Sequence, residues 1–489
     1  MKNIIYKISI VAVLMITLGS CKKYLNINEN PNNALIIEPK LLFSNAVTHL
    51  FNNRAGGDLF IPMALGGQSM AGGGSSTDGI SWGSSSEDQY VFSAFSYSNI
   101  WSQYYTSVGF NLKNAIKLCE NPGEGLAPNN NGAAQSKVIL AETFYELACI
   151  YGDVPFSEAL SDDILEPKFD SQEEVMNGAI GLIDEALAQF DPNSEFLFDG
   201  TYDLIYKGDI EAWIRAARSL KLRILMTMVD KDISKASTIG TMIAEGNFIS
   251  SPADNMKVGF ENVAGKKNHK FAIIEQYNGG INFFYASPYV IDYMNADNDP
   301  RRPTFFERPA GEPDYIGILP GDDADDAVNA KINPNFHYAA EPEYLFTYQE
   351  QLFYEAEIYA RGLGVTADLT MANTLYKQAL EESAKFFGVS SGDATTFANA
   401  RPALTAVSDP MYYISYEHWI DKMDRGVDAF TQWRRSGPEG SEVPNLDLPV
   451  NAPSGGLFRR YEYPPASETA ANPKAPELIR FTVKTWFDL

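Results

Sequence analysis

Gly79-Ile80-Ser81-Trp82-Gly83 has the spacing of a nucleophile elbow, in which a strained strand-to-helix turn lifts a serine into a substrate cleft. The pattern needs a strand before it and a helix after it. Here it lies in a Gly/Ser-rich stretch, Gly66 to Ser86, that predicts neither, so the match reads as chance. Paired carboxylates for glycoside hydrolysis discriminate no better. Glu142 and Glu146 stand one helical turn apart, but among 63 acidic residues some such pair is always present. His49, His269, His337 and His418 are scattered and no HExxH or CxxC occurs, so no metal centre is expected. Asp292, Asn295, Asp297, Asn298 and Asp299 form an oxygen-rich run, yet it lacks the spacing and closing Glu of a calcium loop and reads as a solvated turn. The expectation is no catalytic group, no metal and no cofactor.

Binding chemistry has better candidates. Sugar rings pack their C–H faces on aromatic rings, and their hydroxyls need planar donors and acceptors. Two loops hold that mixture: one carries Gln68, Asp78, Trp82, Asp88 and Tyr90, the other is Tyr277 to Tyr289, YNGGINFFYASPY. Three consecutive aromatics cannot all face one core side. Trp82 and Tyr285 are therefore the expected stacking platforms, with Phe284 at the edge and Gln68, Asp78 and Asn282 as hydrogen-bonding partners. The alternative, that these rings plug loops over the core, stays open.

Helices must position these loops. Apolar residues recur at three- and four-residue spacing in 99–118, 133–151, 171–190, 209–229, 343–362 and 367–387, and no strand alternation is sustained. Ser171 and Glu174 have the spacing of a capping box. Read in sequence order, these segments make three helical hairpins, the last with Ala356 and Ala360 facing Ala372 and Ala379, as in tetratricopeptide repeats. The period is irregular, so the predicted fold is all-α, with tetratricopeptide-like hairpins, long irregular loops and little β structure. Trp213, Leu220, Leu222 and Leu225 read as a buried stripe, and Arg215, Arg218 and Arg223 as ion-pair partners. Trp101, Tyr104, Tyr105, Trp419, Trp433, Arg434 and Arg435 are likewise assigned to packing. Pro438, Pro444, Pro449, Pro453, Pro464 and Pro465 forbid a helix between Ser436 and Ala475, and that stretch is expected on the surface. Cys119 and Cys149 sit near the C-terminal ends of neighbouring antiparallel helices, too far apart to bridge, and read as buried thiols.

Lys2 and Lys7 precede an uncharged run from Ile8 to Leu18, the length of a signal-peptide core and too short to span a bilayer. Leu18-Gly19-Ser20-Cys21 resembles a bacterial lipobox, which implies cleavage after residue 20 and a lipid on Cys21. Residues 1–20 are then the signal and 21–489 one folded domain tied to a membrane by its lipid alone. The formal charge of −25 becomes −27 once Lys2 and Lys7 leave, which repels nucleic acid and anionic lipid surfaces.

Several strings occur in an order that resembles the SusD/RagB family of outer-membrane nutrient-binding lipoproteins, in its second SusD-like subgroup. They are CKKYLNINENPNNA at Cys21, YGDVPFSEAL at Tyr151, KGDIEAWIRAARSLKLRILM at Lys207, the Gln349–Gly362 helix, EHWIDKMDRGVDAFTQWRRSG at Glu417 and RRYEYPPASETAANP at Arg459. The resemblance implies a helical fold, exposure on the cell surface, a SusC-type TonB-dependent channel as partner, and a glycan or other nutrient as ligand, bound without chemical change. A tetratricopeptide scaffold for proteins and an exported glycan-degrading enzyme are the competing classes. The long aromatic loops argue against the first, and the want of a distinguishable nucleophile or acid argues against the second.

Overall fold

Helix-forming periodicity and side-chain caps account for most of the chain order. The structure, a computed structural model, describes residues 37–73, 87–277, 284–438, 440–453, 455–465, 468 and 470–489. In order, α1 is Pro39–Ala55, α2 Gly57–Gly66, β1 Met70–Ala71 and α3 Ala94–Ser102; α3 continues through a π-helical stretch, Gln103–Gly109, into α4, Phe110–Glu120. Then come α5 Asn130–Tyr151, α6 Gln172–Gln189, α7 Ile210–Met228, α8 Lys235–Glu245, β2 Met256–Val258, α9 His269–Tyr277 and β3 Tyr285–Ala286. The order continues with α10 Pro288–Ala296, α11 Arg302–Phe305, β4 Phe306–Glu307, β5 Lys331–Ile332 and β6 Glu343–Phe346. It ends with α12 Tyr348–Arg361, α13 Leu369–Phe386, α14 Ser391–Ala400, α15 Pro410–Ile420 and α16 Gly426–Arg435. No described helix is long and apolar enough to cross a membrane.

Local signals place the ends. Ser171 Oγ accepts from the Glu174 backbone N–H at 3.3 Å and Glu174 Oε2 accepts from the Ser171 N–H at 2.9 Å, the reciprocal capping box that starts α6. Asp209 caps α7 through the Ala212 N–H at 3.0 Å, and Gly362, at φ +70°, ψ 40°, closes α12 in the left-handed region that glycine enters without penalty. The all-α expectation with helical hairpins holds. Two details differ. Residues Glu343–Phe346, placed in a helix by periodicity, form β6, which pairs antiparallel with β2. Phe346 and Leu345 are buried there, the Phe346 ring lying 5.2 Å from the Arg223 guanidinium of α7 and 6.4 Å from the Tyr354 ring of α12. The 436–475 stretch is irregular, as its prolines require, but it does not merely cover the surface: Phe458, Tyr461 and Tyr463 are core residues.

Packing is tightest where α5 lies between neighbours. Its residues Asn131–Tyr151 are buried on every side, with α4 and α6 flanking it, so the first two hairpins merge into one layer. Trp213, Leu220, Leu222 and Leu225 of α7 are buried as the stripe predicted, each contributing roughly 1.5–3 kcal/mol relative to exposure. A second, smaller apolar cluster joins α12, α13 and α14 through Phe353, Tyr376, Leu380 and Phe397, with Ala356, Ala372 and Ala379 at the contact. Cys119 and Cys149 are free and buried, and burial pushes both thiols up to about 12.

The family strings fill the interior with ion pairs. Arg223 of α7 holds Glu142 at 2.7 Å and Asp428 at 3.0 Å, and Arg54 of α1 reaches Asp428 at 2.5 Å and also pairs with Glu146. Lys422 pairs with Glu350 at 2.7 Å and Arg435 with Glu357 at 2.6 Å. Burial alone would raise the Asp428 carboxyl, but Arg54 and Arg223 hold it down at about 2. Arg215 and Arg218 pair nearer the surface with Asp254 and Glu245, as expected. Glu142 and Glu146, the formal hydrolase pair, are thus structural anions sealed from substrate.

Candidate functional site

A four-stranded antiparallel sheet in the order β1-β3-β5-β4 brings together the two stretches the sequence singled out. Met70 lies opposite Ala286 and Ala71 opposite Tyr285, so the chain leaving β1 and the chain entering β3 run side by side at one edge. Gly73 takes φ +74°, and a Cβ there would come within 2.4 Å of the Tyr285 ring, so only glycine allows this approach. Ala324 donates its backbone N–H to the Gly73 carbonyl at 3.0 Å, tying the 315–330 stretch to the same edge.

The expected platforms at this edge are buried, which corrects the reading of Tyr285 and Phe284 as open faces. Tyr285 is 1% exposed; its hydroxyl donates to Asp326 at 2.5 Å and the Lys331 ammonium lies 5.4 Å from its ring. Its position in the middle of the sheet, between β1 and β5, is the physical reason. Phe284 is buried with its ring 5.9 Å from that of Phe60 in an edge arrangement. Gln68 is buried too, donating to Tyr90 Oη and to the Asp447 carbonyl, both at 2.8 Å. These three shape the edge and present no surface to a ligand. Asp78, Trp82 and Asn282, the Gly79–Gly83 elbow match and Cys21 lie outside the described residues.

Immediately after β3 the chain enters α10, and there the structure exposes rings the sequence did not single out. Pro288 at the first turn suits a helix start. Val290, Ile291 and Met294 turn inward, leaving Tyr289, Asp292 and Tyr293 on one outer side at positions i, i+3 and i+4. α15 faces them with Tyr412, Tyr413 and Tyr416. The Tyr293 and Tyr416 rings stack with centroids 4.0 Å apart and planes 7° apart, Tyr412 lies 5.4 Å from Tyr416, and Tyr416 donates to the Tyr289 carbonyl at 2.5 Å. The stack is mostly covered, while Tyr289, Tyr412 and Tyr413 are half-buried and show part of their rings to solvent. Tyr289 Oη donates to Asp447 Oδ2 at 3.0 Å and accepts from the Asp447 N–H at 2.9 Å. Asp447 thus ties the tyrosine face to the buried Gln68 beside the sheet edge.

A cavity of about 310 Å³ opens beside this face, lined by Asp297, Asn298, Asp393, Thr396, Phe397 and Arg401 among others. Arg401 joins the two: its guanidinium lies 4.9 Å from the Tyr293 ring centroid and donates to the Tyr293 hydroxyl at 2.5 Å. It also pairs with Asp297 and, at 2.5 Å, with Glu417, yet its buried Nε–H has no hydrogen-bond partner. Rings and carboxylates around a small cavity are the means of gripping a polyhydroxy ligand. The oxygen-rich run contributes no cation cage. Asp299 is held by Arg301 at 2.6 Å, and Asn295 and Asn298 accept from Arg302 at 2.9 and 3.2 Å. No cluster of three or more metal-ligating His, Cys, Asp or Glu residues occurs among the described residues.

The signal that could have found this face was present as SPYVIDYMNA and MYYISY, where tyrosines recur at helical spacing beside acids. Periodicity alone does not say which side of a helix is left uncovered.

A family model described as "Starch-binding associating with outer membrane" matches residues 31–464. No curated protein matches the sequence. Among solved structures, a chitin-binding protein superposes with a TM-score of 0.75 at 21% identity, covering 92% of this chain and 100% of that one. A SusD homologue from Parabacteroides distasonis gives 0.73 at 16% identity over 92% and 98% of the two chains. A SusD/RagB family protein from Bacteroides thetaiotaomicron gives 0.73 at 19% identity over 92% and 99%. At these identities the structural likeness speaks to the fold.

Proposed function

This chain belongs to the SusD-like family, and from that premise we propose that it is a cell-surface subunit that captures a glycan and hands it to a SusC-type TonB-dependent channel in the outer membrane. The family is associated with starch binding at that membrane. The observation that carries the reading for this chain is the tyrosine face: Tyr289, Tyr412 and Tyr413, backed by the Tyr293–Tyr416 stack and bordered by Asp292, Asp447 and a polar cavity. Rigid rings lose little conformational freedom on binding, so each exposed face is available to a sugar at small entropic cost. The binding step needs no acid, base or nucleophile, in keeping with the burial of Glu142 and Glu146 in ion pairs. Asp78, Trp82 and Asn282 keep their proposed role as ligand contacts.

The test is an array of polysaccharides and oligosaccharides probed with the form beginning at Lys22, followed by calorimetry of Tyr412→Ala and Tyr289→Ala with the best ligand. Loss of a stacked ring should cost about 1–3 kcal/mol, ten- to hundredfold in affinity. Unchanged affinity in both variants removes the tyrosine face from the site, and release of sugar products from the ligand replaces capture with catalysis. The anchor is tested separately: Cys21→Ala should end incorporation of labelled fatty acid and leave the folded domain intact, and continued labelling refutes the lipobox reading.

A further inference from the structure

We infer that the glycan held by the tyrosine face is free of acid groups, being built of neutral or amino-sugar units rather than uronate or sulfated ones. The inference rests on the glycan-binding reading above and narrows its ligand.

The charges at the face are one-sided. Asp292 stands on the outer side of α10 between Tyr289 and Tyr293, exposed and without a cation partner among the described residues. Among the described residues Asp447 is held by the Tyr289 hydroxyl and Asp409 caps the Tyr412 N–H at 3.2 Å, and neither is paired with a cation there. Asp297 and Asp393 add carboxylates to the adjoining cavity.

The two buried arginines nearby are already committed to carboxylates. Arg401 is bracketed by Asp297 and Glu417, and Arg301 behind it by Asp299 and Glu417, both at 2.6 Å. Lys331 is paired with Asp326 at 2.7 Å. Arg302 has its three donor groups on Asn295, Asn298 and the Asp299 carbonyl, and its guanidinium lies 5.5 Å from the Tyr315 ring centroid. A uronate or sulfate that drew Arg401 or Arg301 away from Glu417 would leave a buried charge uncompensated. It would also arrive against these carboxylates, and against a whole-chain formal charge of −25 that lowers the local concentration of polyanions. A hydroxyl or acetamide meets no such obstacle, and Asp292 offers it an acceptor. An ammonium gains from Asp292 and Asp447 together.

The experiment uses three classes of probe on the form beginning at Lys22, at 20 mM and 500 mM salt. They are neutral oligomers of glucose and of N-acetylglucosamine, the de-acetylated glucosamine oligomer, and oligogalacturonate with a sulfated oligosaccharide. Binding confined to the first two classes, with the acidic probes at least tenfold weaker than the best neutral one, is the expected result. Where the glucosamine oligomer binds, its advantage at low salt should shrink at 500 mM and in Asp292→Asn. An acidic probe that binds less than tenfold more weakly, and loses that binding in Tyr412→Ala, overturns the inference while leaving the glycan reading in place. Failure of every class to bind overturns the glycan reading, and this inference with it.

Discussion

Replacing Asp428 by Asn tests whether the charged residues of the EHWIDKMDRGVDAFTQWRRSG string hold the fold or the ligand. In the native state the Asp428 carboxylate is shared between Arg54 at 2.5 Å and Arg223 at 3.0 Å, and they hold it at about 2 against an ordinary 3.8. The folded pKa is depressed, so the stabilisation is present above the unfolded value and is lost as pH falls toward the folded one. A gap of somewhat under two pKa units corresponds to roughly 2 kcal/mol at neutral pH. Removing one partner from a buried charge cluster sets the upper end at about 3–5 kcal/mol, because Arg54 and Arg223 then lack part of their compensation. The measurement is urea unfolding of wild type and Asp428→Asn, as the form beginning at Lys22, at pH 7 and pH 3. The variant should be less stable by about 2–5 kcal/mol at pH 7. That difference should shrink to roughly half at pH 3, where the wild-type carboxyl begins to protonate on unfolding. Ligand affinity of the folded variant should be unaltered. A difference below about 0.5 kcal/mol at pH 7, the size of an ordinary surface substitution, would refute the structural assignment of this string. So would a selective loss of affinity with stability intact.

Two further outcomes follow from packing and burial. Gly66→Ala would place a Cβ 2.3 Å from the Phe458 ring, which is fixed between Phe92 and Phe430, and should destabilise by about 1–3 kcal/mol in denaturant titrations; a neutral result would mean that the ring moves freely. Burial, with Asp58 adding to it, pushes the Glu87 carboxyl up to about 8. A raised carboxyl penalises the fold as pH climbs from about 4.5 through 8, so Glu87→Gln should match wild type near pH 4.5 and exceed it by roughly 2 kcal/mol or more at pH 9; a less stable variant at pH 9 contradicts the burial argument.

Helix periodicity, the Ser171–Glu174 capping box and the prolines after Ser436 were sufficient to read an all-α chain of packed hairpins, because they act over one or two turns and need no distant partner. The family order of strings was likewise legible without a structure, as was the pairing role of Arg223, since an arginine on an apolar helix stripe must find carboxylates. What sequence could not settle was which aromatic rings remain uncovered. Tyr285 and Phe284 stand in a run of three aromatics that looks exposed, yet sheet pairing with residues far away in the chain closes over them. The sequence does not pick out Tyr289 and Tyr412 as contacts, yet where α10 packs against α15 they are left half-buried. Exposure is a property of what packs on a residue from elsewhere in the chain. The same holds for charge: the acids and bases are known from the sequence, but only the tertiary structure decides that Arg401 is spent on Glu417 and that Asp292 meets no cation among the described residues.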